Sequence, residues 1–442
     1  MEHALVRRDV VMGDDPMRAQ SRSLAAGCVL AAIGVAGCAV VALIAPRGSP
    51  GDAPIVMARE SGAVYVRLGD VLHPAFNLAS ARLAARTDAA PVVVSEASIA
   101  RVKRGPRVGI PGAPNVIGAP LGNQPWTVCD AEGTVVSVGQ PLPPLDPSRM
   151  VLVTPRAESA ATTYLLYDGW RAEVDLRDRA VVRALSLEGI APLRVSRALL
   201  DTVPEAPAVT VPHIAGVGTA GPPALGGFTV GTVVRVARAD VDDFYVVLAN
   251  GVQQIGEVAA DIIRFAYGGL GELPLITPAT IAATGSVETL PIGSFPRGTR
   301  AVVGARDALT VCAQWRPGSV GGESNTVVLT GAATAMDTVD VTALAQADGE
   351  GPHVDAVAFP GGRSAFVRSA RILDDDGSTG PRFVVTDSGV AFGIRDDDAA
   401  SYLGLRGAPG AAPWSILAHL PSGPELSTEA ASVVRDGVPP PS

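Results

Sequence analysis

The sequence has a single lysine, Lys103, among 442 residues, and every other positively charged side chain is an arginine. The formal net charge is −9, and no basic face of the kind that nucleic-acid-binding proteins need can be recognised. A P-loop also needs a lysine directly after a glycine-rich turn, and no such turn precedes Lys103. We therefore expect no nucleic-acid partner, and no P-loop supports ATP hydrolysis.

Other signals of catalysis or metal binding are also missing. The sequence has no G-x-S-x-G elbow and no C-x-x-C pair. The acidic runs Asp374–Asp376 and Asp396–Asp398 lack the distal glutamate of an EF-hand loop, so we interpret them as a hairpin tip and a helix start. The five histidines are isolated and show no metal-ligand spacing: His3, His73, His213, His353 and His419. The sequence predicts no catalytic, cofactor or metal site.

One long apolar run organises the chain. Leu24 to Ala45 holds 22 residues without a charge, which as a helix reaches roughly 33 Å, enough to cross a bilayer. No other run approaches this length. Four arginines precede it (Arg7, Arg8, Arg18 and Arg22), and only Arg47 follows closely, which predicts a cytoplasmic N-terminus and an exported remainder. The sequence predicts a single-pass membrane protein with most of its mass on the exported side of the membrane.

A lipoprotein signal is the main alternative for this run, because Val35 to Cys38 places small residues before a cysteine. Seven apolar residues follow, Ala39 to Ala45, where a lipidated N-terminus would turn polar, and the uncut run has spanning length. We therefore favour the retained helix.

The exported part contains two cysteines, Cys129 and Cys312, since Cys28 and Cys38 lie inside the apolar run. An oxidising compartment with two candidates predicts the disulfide Cys129–Cys312, with two buried free thiols as the alternative.

A hairpin-and-helix pattern occurs four times after a Pro/Gly-rich linker. Each copy starts with an aromatic-led strand and a glycine turn: Tyr65–Gly69, Tyr164–Gly169, Tyr245–Gly251 and Phe383–Gly389. A second strand and a helical stretch follow: Leu78–Ala85, Ala180–Leu187, Val258–Phe265 and Ala399–Leu403. Ser95, Ser196 and Thr277 are expected to cap the next helix in three copies. The pattern predicts an α+β fold of four repeats around a central β-rich domain.

Segments rich in Val, Thr, Gly and Pro separate the repeats, and both exported cysteines lie in them. We expect these segments to form the central domain. The predicted organisation is a cytoplasmic arm (1–23), a transmembrane helix (24–45), a linker (46–57), repeats at 58–118, 161–206, 241–299 and 359–434, central-domain parts at 119–160, 207–240 and 300–358, and a flexible tail (435–442).

Ten segments carry a family resemblance, in this order along the chain: Glu60–Val66, His73–Leu83, Gly109–Pro114, Trp126–Asp130, Tyr164–Gly169, Val203–Pro207, Val246–Ile255, Glu257–Asp261, Leu344–Gly349 and Leu420–Ser427. They resemble the EccB family of type VII (ESX) secretion systems, and the resemblance covers nearly the whole chain. The shortened final part most resembles the ESX-4 class. Met1–Leu5 resembles the middle of the family's cytoplasmic arm, so we expect either a shortened arm or a start that lies upstream, which places cytoplasmic contacts in doubt.

The resemblance implies a location in the inner membrane, an elongated periplasmic region, and a structural core subunit that supports export of folded WXG100-type proteins. It further implies assembly with EccC, EccD and EccE, and a homo-oligomer. Two other functions remain open: an ATP-hydrolysing subunit, because the family often carries that label, and a membrane-tethered module that binds the cell wall.

Overall fold

The computed structural model describes residues 16–44, 50–156, 162–238, 242–268, 271–307, 309–318, 323–373 and 380–436. Its helices are α1 (Pro16–Ile44), α2 (Leu78–Ala85), α3 (Glu96–Ile99), α4 (Arg179–Ala184), α5 (Arg197–Thr202), α6 (Glu257–Ile263), α7 (Pro278–Thr284), α8 (Asp397–Tyr402), α9 (Trp414–Leu417) and α10 (Thr428–Ala431). A π-helical turn, Arg264–Gly268, follows α6, and short 3-10 turns span Pro223–Leu225, Ala305–Asp307 and Ala335–Thr338.

The strands are β1 (Ile55–Ala58), β2 (Val64–Leu68), β3 (Val71–Pro74), β4 (Val92–Val94), β5 (Ala119–Leu121), β6 (Trp126–Asp130), β7 (Thr134–Val138), β8 (Met150–Pro155), β9 (Tyr164–Tyr167), β10 (Trp170–Val174), β11 (Leu193–Val195), β12 (Glu205–Val209), β13 (Val233–Val236), β14 (Asp243–Leu248), β15 (Gly251–Ile255), β16 (Val302–Val303), β17 (Leu309–Arg316), β18 (Asn325–Ala332), β19 (Thr342–Ala343), β20 (Ala356–Ala358), β21 (Arg363–Ala370), β22 (Arg382–Thr386), β23 (Ala391–Ile394) and β24 (Gly410–Pro413).

Helix α1 contains residues 24–44 of the apolar run and begins eight residues before the predicted start at Leu24. Pro16 occupies the first helical position, where its missing N–H costs nothing, and Arg18, Gln20 and Arg22 favour helix. In the described part of the chain, one helical stretch, Gln20–Val40, is long and apolar enough to cross a membrane.

Four groups of strands share one order of elements. A first strand pairs with an antiparallel hairpin, a helix follows, and the chain then returns parallel to the first strand. The groups are called the first unit (β1–β4, α2, α3), the second unit (β8–β12, α4, α5), the third unit (β13–β15, α6, α7) and the fourth unit (β21–β24, α8–α10). In the third unit the returning segment forms a single bridge, between Leu275 and Arg235.

A separate six-stranded sheet has the order β18-β17-β6-β7-β20-β19 and is called the central sheet. Its strands come from residues 126–138 and 309–358, within two of the three predicted parts. The middle part, 207–240, differs from the prediction, because Val233–Val236 pairs antiparallel with β14 in the third unit. Met150–Pro155 likewise pairs with the hairpin strand β9, and Ala119–Leu121 pairs with β21.

The hydrophobic core runs between the units. One buried cluster joins the central sheet to the second and fourth units, and it contains Trp126, Trp315, Leu199 and Ile416. The Trp126 ring lies edge-on to Phe359, with 6.3 Å between ring centroids. A second cluster joins the second and third units, and a third cluster joins the first and fourth units. The units therefore stabilise one another through shared apolar surface.

Candidate functional site

Cys129 and Cys312 form a disulfide between the neighbouring antiparallel strands β6 and β17. They face each other in register, their Cα atoms are 4.0 Å apart, and both side chains are completely buried beside Met336. The bond closes a sequence separation of 183 residues. It fastens the early and late strands of the central sheet together.

Asp130 follows Cys129 and points to the opposite face of the strand, because side chains alternate along β-structure. Its carboxylate is buried and accepts hydrogen bonds from Thr134 Oγ1 at 2.9 Å and from the Ser196 backbone N–H at 2.5 Å. Burial raises the pKa of Asp130, while the charge of Arg156 and the hydrogen bonds from Ser196 and Thr134 act against that rise. The residue connects the central sheet to the start of α5.

Arg156 is the cation of this cluster and is 9% exposed. Its guanidinium donates from Nε to the Arg194 carbonyl at 3.3 Å and from Nη1 to the Gly349 carbonyl at 3.4 Å and Thr134 Oγ1 at 3.5 Å. One side chain therefore contacts the second unit, the β6–β7 turn and the loop before β20.

The loop of residues 344–355 is held mainly by its last residue, Asp355. One carboxylate oxygen of Asp355 accepts from the Thr134 N–H at 2.7 Å, and the other accepts from the N–H groups of Asp348 and Gly349 at 2.8 and 2.6 Å. Gln346 donates from Nε2 to the His419 carbonyl in the fourth unit at 3.0 Å. The loop thus connects the central sheet to two units.

Asp201 on α5 receives the His419 side chain, with 3.2 Å between Oδ2 and Nε2. Arg171 lies 3.5 Å from the other carboxylate oxygen and also donates to Glu205 at 3.1 Å. Burial by itself would raise the pKa of Asp201, but the hydrogen bond and charge of His419 and the charges of Arg171 and Arg197 lower it. These contacts link the second unit to the fourth. We call the whole set (Asp130, Thr134, Arg156, Ser196, Asp201, Asp355 and His419) the polar joint.

The polar joint is built for holding segments together. Its carboxylates accept from backbone N–H groups, from a hydroxyl and from a histidine, and its guanidinium donates mainly to backbone carbonyls. Buried charges that are paired and hydrogen-bonded fix geometry, and removing one partner is strongly destabilising. The hydrogen bonds of the polar joint therefore hold the units in position relative to one another.

Two cavities in the described part are lined by residues outside the polar joint. One of about 520 Å³ lies beside β17 and β18 and contains Asp146 and Arg149, which pair at 3.6 Å. Another of about 760 Å³ follows β15, where the buried Gln253 amide bonds the backbone of Thr289 and Leu290.

The residues discussed from the sequence are dispersed. His73 bonds the Pro106 carbonyl and His353 bonds Asp348, and the described residues contain no group of three His, Cys, Asp or Glu that could hold a metal. Asp396 caps α8, as its interpretation as a helix start predicts, whereas Asp374–Asp376 lies outside the described residues. Lys103 lies on an extended segment bonded to β3.

Sequence reasoning missed the polar joint. The one available signal was that Asp130 and the stretch Leu344–Gly349 belong to the segments that carry the family resemblance. Nothing in the sequence indicated that Asp130 meets Ser196, or that Asp201 meets His419.

Comparison with known proteins gives one consistent picture. The family model described as "Type VII secretion system ESX-1, transport TM domain B" matches residues 1–440. The chain is 36% identical to the ESX-3 secretion system ATPase EccB3 of Mycolicibacterium smegmatis, over 97% of this chain and 87% of the relative. It is 34% identical to the ESX-2 secretion system ATPase EccB2 of Mycobacterium tuberculosis, over 99% and 92%.

Two solved structures are similar in fold. The first is an intact ESX-5 inner membrane complex, with a TM-score of 0.74 and 32% identity over 99% of this chain and 92% of that one. The second is the EccB3 dimer from the ESX-3 core complex, with a TM-score of 0.73 and 35% identity over 86% and 100%.

Proposed function

Because this chain belongs to the EccB family, a core component of ESX inner membrane complexes, we propose that it is a structural subunit that holds periplasmic units in fixed relation. The observation that carries this proposal is the polar joint, in which Asp130 and Arg156 connect the central sheet and its loop to the second unit, and Asp201 of the second unit contacts His419 of the fourth. Such a rigid body suits assembly, and through it the subunit supports export of folded WXG100-type proteins.

The proposed topology is a single crossing by the N-terminal helix, with a cytoplasmic N-terminus and a periplasmic body. Arginines before the helix and the Cys129–Cys312 disulfide support it, since disulfides persist in oxidising compartments. Lys103 offers a direct test, because it is the only lysine. A membrane-impermeant amine reagent should label Lys103 in intact spheroplasts. Labelling of Lys103 only after lysis would indicate the opposite topology, with the body in the cytoplasm.

We propose that the four units are copies of one repeat arranged in an elongated body around the central sheet. Their common order of strand, hairpin, helix and returning segment supports this proposal. The proposed boundaries follow the predicted organisation with four changes. Val233–Val236 joins the third unit, Met150–Pro155 and Val302–Val303 join the second, and Ala119–Leu121 joins the fourth, because β13, β8, β16 and β5 pair within those sheets.

The proposed partners are EccC, EccD and EccE, together with further copies of this chain. A relative forms a dimer in the ESX-3 core complex, which supports self-association. Extraction in mild detergent followed by affinity purification should recover EccC and EccD with the chain, and recovery of the chain alone would contradict the proposal. Membership of the ESX-4 class stays a prediction from the shortened final part.

ATP hydrolysis is the second candidate function, because relatives carry the word ATPase in their names. The purified full chain, Lys103→Gln and a matched variant Arg177→Gln should be assayed together. Hydrolysis that co-purifies with the chain at constant specific activity and falls in Lys103→Gln alone would favour this function. Activity that separates from the chain, or that no substitution changes, would favour the structural role.

A further inference from the structure

The first unit differs in charge from the rest of the protein. Residues 50–118 contain eight arginine and lysine residues against five acidic ones, whereas residues 119–442 contain 22 basic and 35 acidic residues. Four of these eight basic residues lie within the seven residues 101–107, namely Arg101, Lys103, Arg104 and Arg107. We call residues 101–107 the basic segment. It is a local cationic surface on an acidic protein.

The four charged side chains of the basic segment are exposed, and in the described part of the chain none of them forms an ion pair. Many other arginines pair with carboxylates within 4.0 Å, as Arg171, Arg235 and Arg264 do. The charge of the basic segment is therefore available to an external anion.

The backbone of the basic segment is fixed. Leu72 N–H donates to the Lys103 carbonyl at 2.9 Å, and Gly105 N–H donates back to the Leu72 carbonyl at 3.0 Å, so the segment extends the sheet beside β3. The guanidiniums of Arg104 and Arg107 lie 6.0 and 5.2 Å from the ring centroids of Tyr65 and Phe76. Stacking on aromatic rings orders the two side chains before any partner arrives.

Exposed apolar side chains adjoin these cations. Val108 pairs with Val434, which is 54% exposed, and the neighbouring Val433 is 42% exposed. A surface that combines ordered cations with exposed aliphatic side chains matches the membrane interface, where cations meet phosphate headgroups and apolar groups enter the acyl boundary.

The chain also keeps this surface near a bilayer. Helix α1 ends at Ile44 and β1 begins at Ile55, so the intervening residues span at most about 40 Å even when fully extended.

We propose that the basic segment, with Val433 and Val434, docks on anionic phospholipid headgroups of the membrane that α1 crosses. The inference rests on the proposed function, because it requires the body to lie beside that membrane. Docking would fix the orientation of the first unit relative to the bilayer.

Lys103 belongs to the basic segment and is the single lysine of the sequence. The rate at which an amine-reactive reagent acylates Lys103 therefore measures whether lipid covers the basic segment. The full chain is placed in nanodiscs of phosphatidylcholine alone and in nanodiscs with about one third phosphatidylglycerol, and the Lys103 peptide is quantified by mass spectrometry. We expect labelling to be about tenfold slower in the anionic nanodiscs. The protection should disappear near 1 M salt, where the Debye length is about 3 Å.

The variant Arg101→Gln/Arg104→Gln/Arg107→Gln retains Lys103 and should lose the protection. The matched control, Arg177→Gln/Arg179→Gln/Arg297→Gln, removes three positive charges from exposed arginines elsewhere. Lys103 should still be protected in this control. Equal labelling rates in the two lipids, or protection that survives the first triple substitution, would overturn the proposal. Protection of Lys103 by inorganic phosphate in neutral nanodiscs would instead indicate a free-anion site. Protection only within the assembled secretion complex would indicate a protein interface.

Failure of the docking proposal can be distinguished from failure of the proposed function. The spheroplast labelling of Lys103 is read at completion and near 1 M salt, where docking does not protect the lysine, so it tests only on which side of the membrane the body lies. Co-purification tests assembly. The nanodisc comparison is independent of both results. A correctly oriented, assembled chain with unprotected Lys103 would contradict lipid docking alone.

Discussion

The Asp130 carboxylate accepts a hydrogen bond from the backbone N–H of Ser196, a residue 66 positions further along the chain. The Ser196 hydroxyl in turn caps α5 by accepting from the Leu199 N–H at 3.1 Å. A strand of the central sheet and the first turn of a helix are therefore held through two consecutive polar contacts. Because both residues are buried, water does not replace either contact, and the position of α5 depends on Asp130.

Replacing Asp130 should destabilise the body. Asp130→Ala leaves the buried Ser196 N–H and Thr134 hydroxyl without their acceptor and should lower the free energy of unfolding by about 3 kcal/mol. Asp130→Asn keeps the shape and should cost less. The fluorescence of the buried Trp126 and Trp315 during denaturation of the full chain in detergent measures the effect. Asp70→Asn, at an exposed carboxylate, is the control, and equal stability of Asp130→Ala and Asp70→Asn would contradict a role for the joint.

Removing both cysteines of the disulfide should lower the free energy of unfolding by roughly 3 to 5 kcal/mol, because the bond closes a long loop in the unfolded chain. Cys129→Ala/Cys312→Ala should therefore unfold at lower denaturant concentration than the parent chain. The control Cys28→Ser/Cys38→Ser alters cysteines of α1 and should leave the unfolding of the body unchanged. Identical midpoints for the two double variants would show that the disulfide does not stabilise the fold.

Gly118 should not tolerate a methyl group. A Cβ atom there would lie 2.2 Å from the backbone oxygen of Gly362, which leads into β21. Gly118→Ala should therefore force the segment of β5 away from the fourth unit and cost about 2 kcal/mol. Gly122 lies four residues later with open space around its Cα, so Gly122→Ala should be nearly neutral. Comparing the two melting temperatures tests this contact, and a neutral Gly118→Ala would show that β5 can shift freely.

The Asp201–His419 contact should give acid-dependent stability. The pKa of Asp201 is lowered in the folded state, so the ionised carboxylate stabilises the fold above the unfolded pKa of about 3.9. This contribution is lost as the pH falls through the lower folded pKa. The stability difference between the parent chain and Asp201→Asn, at most about 1 kcal/mol for a partly exposed pair, should be present above the unfolded pKa of about 3.9 and shrink as the pH falls through the lower folded pKa. A difference that persists at low pH would assign the effect to packing.

Local features of the fold were predictable because short-range chemistry determines them. The Asp168-Gly169 dipeptide predicted a hairpin, and both residues adopt the positive φ angles that such a turn needs. The expected caps are confirmed, since the hydroxyls of Ser95, Ser196 and Thr277 each accept from the N–H three residues later. Helix α2 has the predicted bounds.

Long-range pairing was less predictable. A stretch such as Val233–Val236 has a pattern that suits any sheet, and only its contact with β14 places it in the third unit. The polar joint poses the same difficulty, because Arg156 and Gly349 are 193 residues apart. An acidic residue beside a cysteine gives no local sign that it will be buried against a distant helix start.

The pairing of Val108 with Val434 has a consequence for biogenesis. The ribosome releases the first unit long before the last, yet the Gly109 N–H donates to the Val433 carbonyl and the Arg107 carbonyl accepts from the Arg435 N–H. The growing chain must therefore leave these two groups of the first unit without their partners until residues 433–435 have been synthesised. Termination before Val433 would leave that edge open in every molecule, so the first unit is closed only after the other three units have been made.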